Sequence, residues 1–141
     1  MTQVDFYLLG DGGDDDRNRL ACRLIDKAFR LHRRIYVYAG SDEDATRLDQ
    51  LLWTFNPGSF VPHELNLGQD AQETPVIIGC QEPPGAFTDV LVSLAAEVPP
   101  FFSRFERVAE VVGGSEAEKA QARERFRFYR DRGYQLETHT L

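Results

Sequence analysis

The sequence predicts an α/β fold: a single domain, residues 1–141, with a mostly parallel sheet covered by helices on both faces. Three observations predict it. Short apolar runs rich in β-branched and aromatic residues recur along the chain (VDFYLL, IYVYA, PVII, DVLVSL, ERVAEVV), each of a length that suits a buried strand. Between the first two, apolar residues repeat every three or four positions, as one face of a helix requires. The order strand, helix, strand, helix then calls for right-handed crossovers over a parallel sheet. A chain of 141 residues can bury one proper core and is too short for two ordinary domains.

The first strand is Val4–Leu9, followed by the loop GDGGDDD and a helix over Arg17–Leu31, whose Leu20, Leu24, Ala28 and Leu31 share a face. Ile35–Ala39 is a second strand. Ser41 followed by Asp42, Glu43 and Asp44 reads as a capped start to a helix that runs to about Trp53. Asn56-Pro57-Gly58-Ser59 is a turn, and Pro62 makes Phe60–Leu65 an edge strand or an exposed loop. Pro75–Ile78 and Asp89–Leu94 are core strands, Phe101–Phe105 is a short helical or turning segment, and Glu106–Val112 is a fifth strand. Ser115 caps the last helix, with Glu116 and Glu118 in the first turn, and Gly133 stops it. Tyr134–Thr140 alternates as a final strand or a tail.

Charge is unevenly distributed. Between Lys119 and Arg132, six basic side chains face only Glu124 and Asp131, a net of +4 that leaves −11 on the rest of a chain whose formal net charge is −7. A broad duplex-DNA surface is excluded by that acidity, whereas one local basic patch fits a specific acidic partner. The start MTQVDFYLLGDGG has neither the basic region nor the long apolar run of a signal peptide. No stretch approaches the roughly 20 apolar residues of a membrane helix, so the expectation is a cytoplasmic protein that engages no membrane. Cys22 and Cys80 lack metal-ligand spacing and read as small buried thiols.

No catalytic constellation emerges. Gly10-Asp11-Gly12-Gly13 sits between a strand and a helix, but it departs from G-x-G-x-x-G. Asp14, Asp15 and Asp16 then place carboxylates where a phosphate would lie, and they suit the helix amino end instead. His32, His63 and His139 fall on separate elements without zinc spacing, so no metal and no cofactor is expected. Two segments carry binding chemistry. Around the turn after the second helix stand Trp53, Phe55 and Phe60, which are either core or an exposed aromatic anchor patch. On the basic helix, at about 100° per residue, Arg123, Arg127 and Arg130 fall within roughly 60° of one another. Lys119 lies on the same side and Phe126 borders the stripe, while Ala122, Phe126 and Tyr129 face the sheet. Cations beside an aromatic suit an acidic peptide with an aromatic end, because guanidinium groups pair bidentately with carboxylates.

The segments DFYLL, RLDQLLWTF, SFVPHEL and ARERFRFYRDRGYQL together resemble the chi subunit of bacterial DNA polymerase III, a clamp-loader accessory protein, over nearly the whole length. The resemblance implies an α/β fold like that of nucleotide-binding domains, without a nucleotide site and without catalysis. It implies two protein partners: the psi subunit, and the acidic C-terminal tail of single-stranded DNA-binding protein, which ends in Pro-Phe with a free carboxylate. Nucleic acid would then be met only through that second protein. The tail-binding positions implied are Lys119, Arg123, Phe126 and Arg127, with Arg130 on the same stripe. Phe126 stands where a Tyr is common, and Arg127 where a Lys is common. Arg123 would pair with the terminal carboxylate, and Lys119 and Arg127 would attract the aspartates. The psi-facing patch implied is Phe60 with Val61 and Pro62, joined by Trp53. Two alternatives stay open on the residues themselves: a small nucleotide- or magnesium-binding enzyme using Gly10–Asp16, and direct binding of single-stranded DNA by the basic helix.

Overall fold

A computed structural model describes residues 1–10, 13–65 and 74–141, with the side chain of Asp14 left out. The strands are β1 (Gln3–Leu8), β2 (Ile35–Tyr38), β3 (His63–Leu65), β4 (Val76–Gly79), β5 (Val90–Ser93), β6 (Arg107–Val112) and β7 (Gln135–Thr140). The helices are α1 (Asp14–Arg30), α2 (Asp42–Thr54) and α3 (Glu116–Asp131), with one 3-10 turn over Phe102–Arg104. The seven strands form one sheet in the order β3-β4-β2-β5-β6-β1-β7, and every neighbouring pair is parallel.

The strand order follows from handedness. From β1 the chain steps toward β2 and β3 through α1 and α2 on one face; from β6 it steps back past β1 to β7 through α3 on the other. Right-handed crossovers require such a change of face when the direction of travel reverses. The two cores match. Leu20 and Ile25 of α1 and Leu48 and Leu52 of α2 bury against Ile35, Val37, Val76, Ile78 and Val92. Ala122 and Tyr129 of α3, with Phe87, Phe101, Phe102 and Phe105, bury against Val4, Phe6, Tyr36, Ile77, Leu91 and Val108. Alternate residues of each strand divide between the faces, so nearly continuous apolar strands are needed.

Differences from the expected boundaries have local causes. α1 begins three residues before Arg17, because Asp14, Asp15 and Asp16 occupy its first turn, where the helix dipole favours acids. The Asp16 carboxylate accepts from the Gly13 amide at 3.3 Å. Of Phe60–Leu65 only the last three residues pair, since Pro62 has no N–H to give the ladder. Tyr134–Thr140 supplies a full edge strand, in register with β1 from Gln3↔Gln135 to Leu8↔Thr140. Gly133 ends α3 at φ 79°, a conformation that favours glycine. No helix among the described residues is long and apolar enough to cross a membrane.

Candidate functional site

The amino end of α3 is closed by the helix itself. The Ser115 hydroxyl accepts from the Glu118 amide at 3.1 Å. The Glu118 carboxylate accepts from the Gly113 amide and the Ser115 hydroxyl, each at 3.1 Å, and pairs with Arg17 at 3.4 Å. This is the crevice at the carboxyl ends of β1 and β6, where the direction of winding reverses and an open α/β sheet receives a ligand. An internal carboxylate holds the position that an anion would take there.

From this start α3 crosses the sheet with Ala122, Phe126 and Tyr129 inward. The Phe126 ring meets the edge of Phe6 at 5.5 Å and Tyr129 meets it at 6.0 Å. Between α3 and the ends of β1 and β7 lies an open cavity of about 340 Å³, lined by Phe6, Leu8, Leu9, Gly10, Val112, Lys119, Ala122, Arg123, Phe126, Thr138 and Thr140. Its wall is almost all carbon, with two cations set into it. Arg123 is exposed and makes no ion pair among the described residues, and Lys119 reaches Glu116 only at 4.0 Å. Arg127 pairs with Glu124 at 2.8 Å and Arg130 with Asp131 at 3.2 Å, and neither lines the cavity. The structure therefore brings Lys119, Arg123 and Phe126 together and leaves Arg127 and Arg130 further along the same helix.

A second surface lies at the opposite edge of the sheet. Trp53, at the end of α2, is 47% exposed, and Phe60 is 70% exposed with its ring 5.8 Å from the indole. Phe55 and Pro62 are half-buried, and Val61 is buried in the core under α2. Two large aromatic side chains held side by side in solvent form a small anchor patch, with Val61 fixing the backbone beneath them.

The chain matches the family described as DNA polymerase III chi subunit, HolC, over residues 1–137. It is 40% identical over 141 residues to the DNA polymerase III subunit chi of Pseudomonas aeruginosa, a match that spans 100% of this chain and 98% of that protein. It is 31% identical over 145 residues to the subunit of the same name from Escherichia coli K12, spanning 99% of each. The chain belongs to the DNA polymerase III chi subunit family.

Several features of this chi-family chain were not visible in its sequence. Arg125, counted among the cations of the basic helix, is buried and is no part of the surface stripe. Its Nε donates to Glu110 at 3.1 Å and its guanidinium to the Ala96 carbonyl at 2.8 Å, while the Tyr129 hydroxyl donates to the other Glu110 oxygen at 2.7 Å. The cavity floor, Phe6 with Thr138 and Thr140, was also missed. Its only signal was the alternation of the last segment, which could not say beside which strand that segment lies.

Potential chemical groups elsewhere resolve as follows. Within the Gly10–Asp16 loop, Asp11, Gly12 and the Asp14 side chain lie outside the described residues. Asp5, Glu137 and His139 bring their donor atoms within 4.8 Å of one another on the α1 side of β1 and β7. Arg107 already pairs with Asp5 at 2.7 Å, Gln3 donates to its other oxygen at 3.2 Å, and Tyr7 stacks on His139 at 4.6 Å. The two cysteines are free. Burial pushes the Cys22 thiol up to about 12. Cys80 is half-buried, and its hydrogen bond to Asp42 at 2.9 Å raises its pKa.

Proposed function

We propose that this protein is a non-catalytic adaptor of the replicative polymerase in the cytoplasm, binding the acidic C-terminal tail of single-stranded DNA-binding protein at α3 and the psi subunit at the Trp53–Phe60 patch. The observation that carries the first half is the carbon-lined cavity bearing Arg123, which has no ion pair among the described residues, beside Lys119. A terminal aromatic ring fills such a cavity, and its free carboxylate lies where Arg123 can take it bidentately. Arg127 and Arg130, further along the helix and each paired with an acid, add only weakly to the positive field that meets the aspartates before the terminus. The acidic remainder of the chain holds off nucleic acid, so contact with DNA goes through the tail-bearing protein.

Calorimetric titration with an acidic peptide ending in Pro-Phe tests this. A dissociation constant on the order of micromolar is expected, weakening as salt is raised. Arg123→Ala weakens it by about tenfold or more, the scale of one charge-assisted hydrogen bond. Arg130→Ala, whose partner Asp131 leaves it little free charge, weakens it by about twofold or less. Equal affinity for Arg123→Ala and wild type overturns the assignment. Phe60→Ala weakens capture of the psi subunit and leaves peptide affinity intact.

A further inference from the structure

Below the Trp53–Phe60 patch sits a histidine whose hydrogen bonding is unusual. The His63 side chain, the first of β3, is fully buried. Its Nδ1 lies 2.8 Å from the Val61 carbonyl oxygen. Its Nε2 lies 3.0 Å from the Asp49 carbonyl oxygen and 3.2 Å from an Asp49 carboxylate oxygen. All three neighbours are acceptors. A neutral imidazole has one N–H and one lone pair, so in either tautomer one ring nitrogen would point a lone pair at an oxygen. Only the imidazolium donates from both nitrogens. The indole of Trp53 covers the ring, with centroids 3.9 Å apart.

We propose that His63 is the positioning residue of the aromatic patch, tying β3 to α2 through Val61 and Asp49 and seating Trp53 on its ring. The inference deepens the docking role given to that patch and rests on it only for its biological use. Among the described residues, the ionisable group recorded against the ring from α2 is Asp49. β4 offers Val76 in register, and Glu64, next along β3, points to the opposite side and accepts from Thr74.

Trp53 is the only tryptophan of the chain, so its fluorescence reports this contact without any partner. His63→Ala is expected to shift the Trp53 emission to longer wavelength and to open it to acrylamide quenching. His63→Gln, whose amide keeps an N–H donor, restores part of that change. Wild-type emission and quenching in His63→Ala overturn the proposal, and so does a His63→Gln variant no different from His63→Ala. The readout needs no partner, so failure of the docking reading and failure of the His63 inference are separate outcomes.

Discussion

Glu110 has no exposed surface, and its carboxylate oxygens meet two donors, the Arg125 guanidinium and the Tyr129 hydroxyl. Removing one member of such a group leaves a buried charge alone. Glu110→Ala should therefore cost about 3–5 kcal/mol of stability, a loss readable in denaturant melts. Burial raises the Glu110 carboxyl above the usual range, and this outweighs the opposing pull of Arg125. The folded state then holds the Glu110 proton more tightly than the unfolded chain does. That contribution to stability is full below the unfolded value of about 4.3 and is lost as pH rises through the higher folded value. The melting temperature of wild type relative to Glu110→Gln should accordingly rise as pH is lowered toward the unfolded value of about 4.3. A difference that stays flat or falls contradicts the assignment. Tyr129 stays a donor throughout, because burial and the Glu110 charge hold its phenol well above its ordinary value.

At the scale of the element, α3 depends on a start built from Gly113, Ser115 and Glu118. A Cβ at position 113 would lie 2.2 Å from a Glu118 carboxylate oxygen, so the glycine is what lets that carboxylate reach the backbone. Gly113→Ala should displace Glu118 and cost about 1 kcal/mol, and Glu118→Ala should cost about the same. The double variant should cost little more than either one, because both remove a single contact. Full additivity in thermal melts would separate the two residues. The same helix shows how far the sequence could be read. Its length, its cap, its Gly133 stop and its inward Ala122–Phe126–Tyr129 side all follow from spacing and residue type. Arg125 belongs to that inward side by the same spacing, three after Ala122 and four before Tyr129. The type of residue argued for solvent, and the decisive fact was a partner on another element. Glu110 shares the sheet face of Val108 and Val112, which alternation along β6 implies, but only the strand order brings that face under α3.

On the scale of the whole molecule, the two proposed surfaces stand at opposite edges of one sheet. The aromatic patch adjoins β3, and the cavity adjoins β1 and β7. Five strand spacings separate β3 from β1, about 24 Å. A packed parallel sheet lies between them, with no second arrangement among the described residues through which one site could bias the other. The tail peptide should thus bind a preformed complex with the psi subunit as tightly as it binds the free chain, within about twofold by calorimetry. A larger change would require a coupling that this architecture does not display. The strand and helix succession that foretold the fold could not foretell these separations, because the order β3-β4-β2-β5-β6-β1-β7 is set by crossovers and not by local pattern. That order also fixes a timetable. Phe6 on β1 and Thr138 on β7 are register partners about 130 residues apart. Thr138 and Thr140 line the cavity from β7, so until β7 pairs with β1 the basic helix has no cavity floor beside it. On the proposed reading, tail capture waits until β7 has paired with β1, which would turn recruitment into a signature of finished folding.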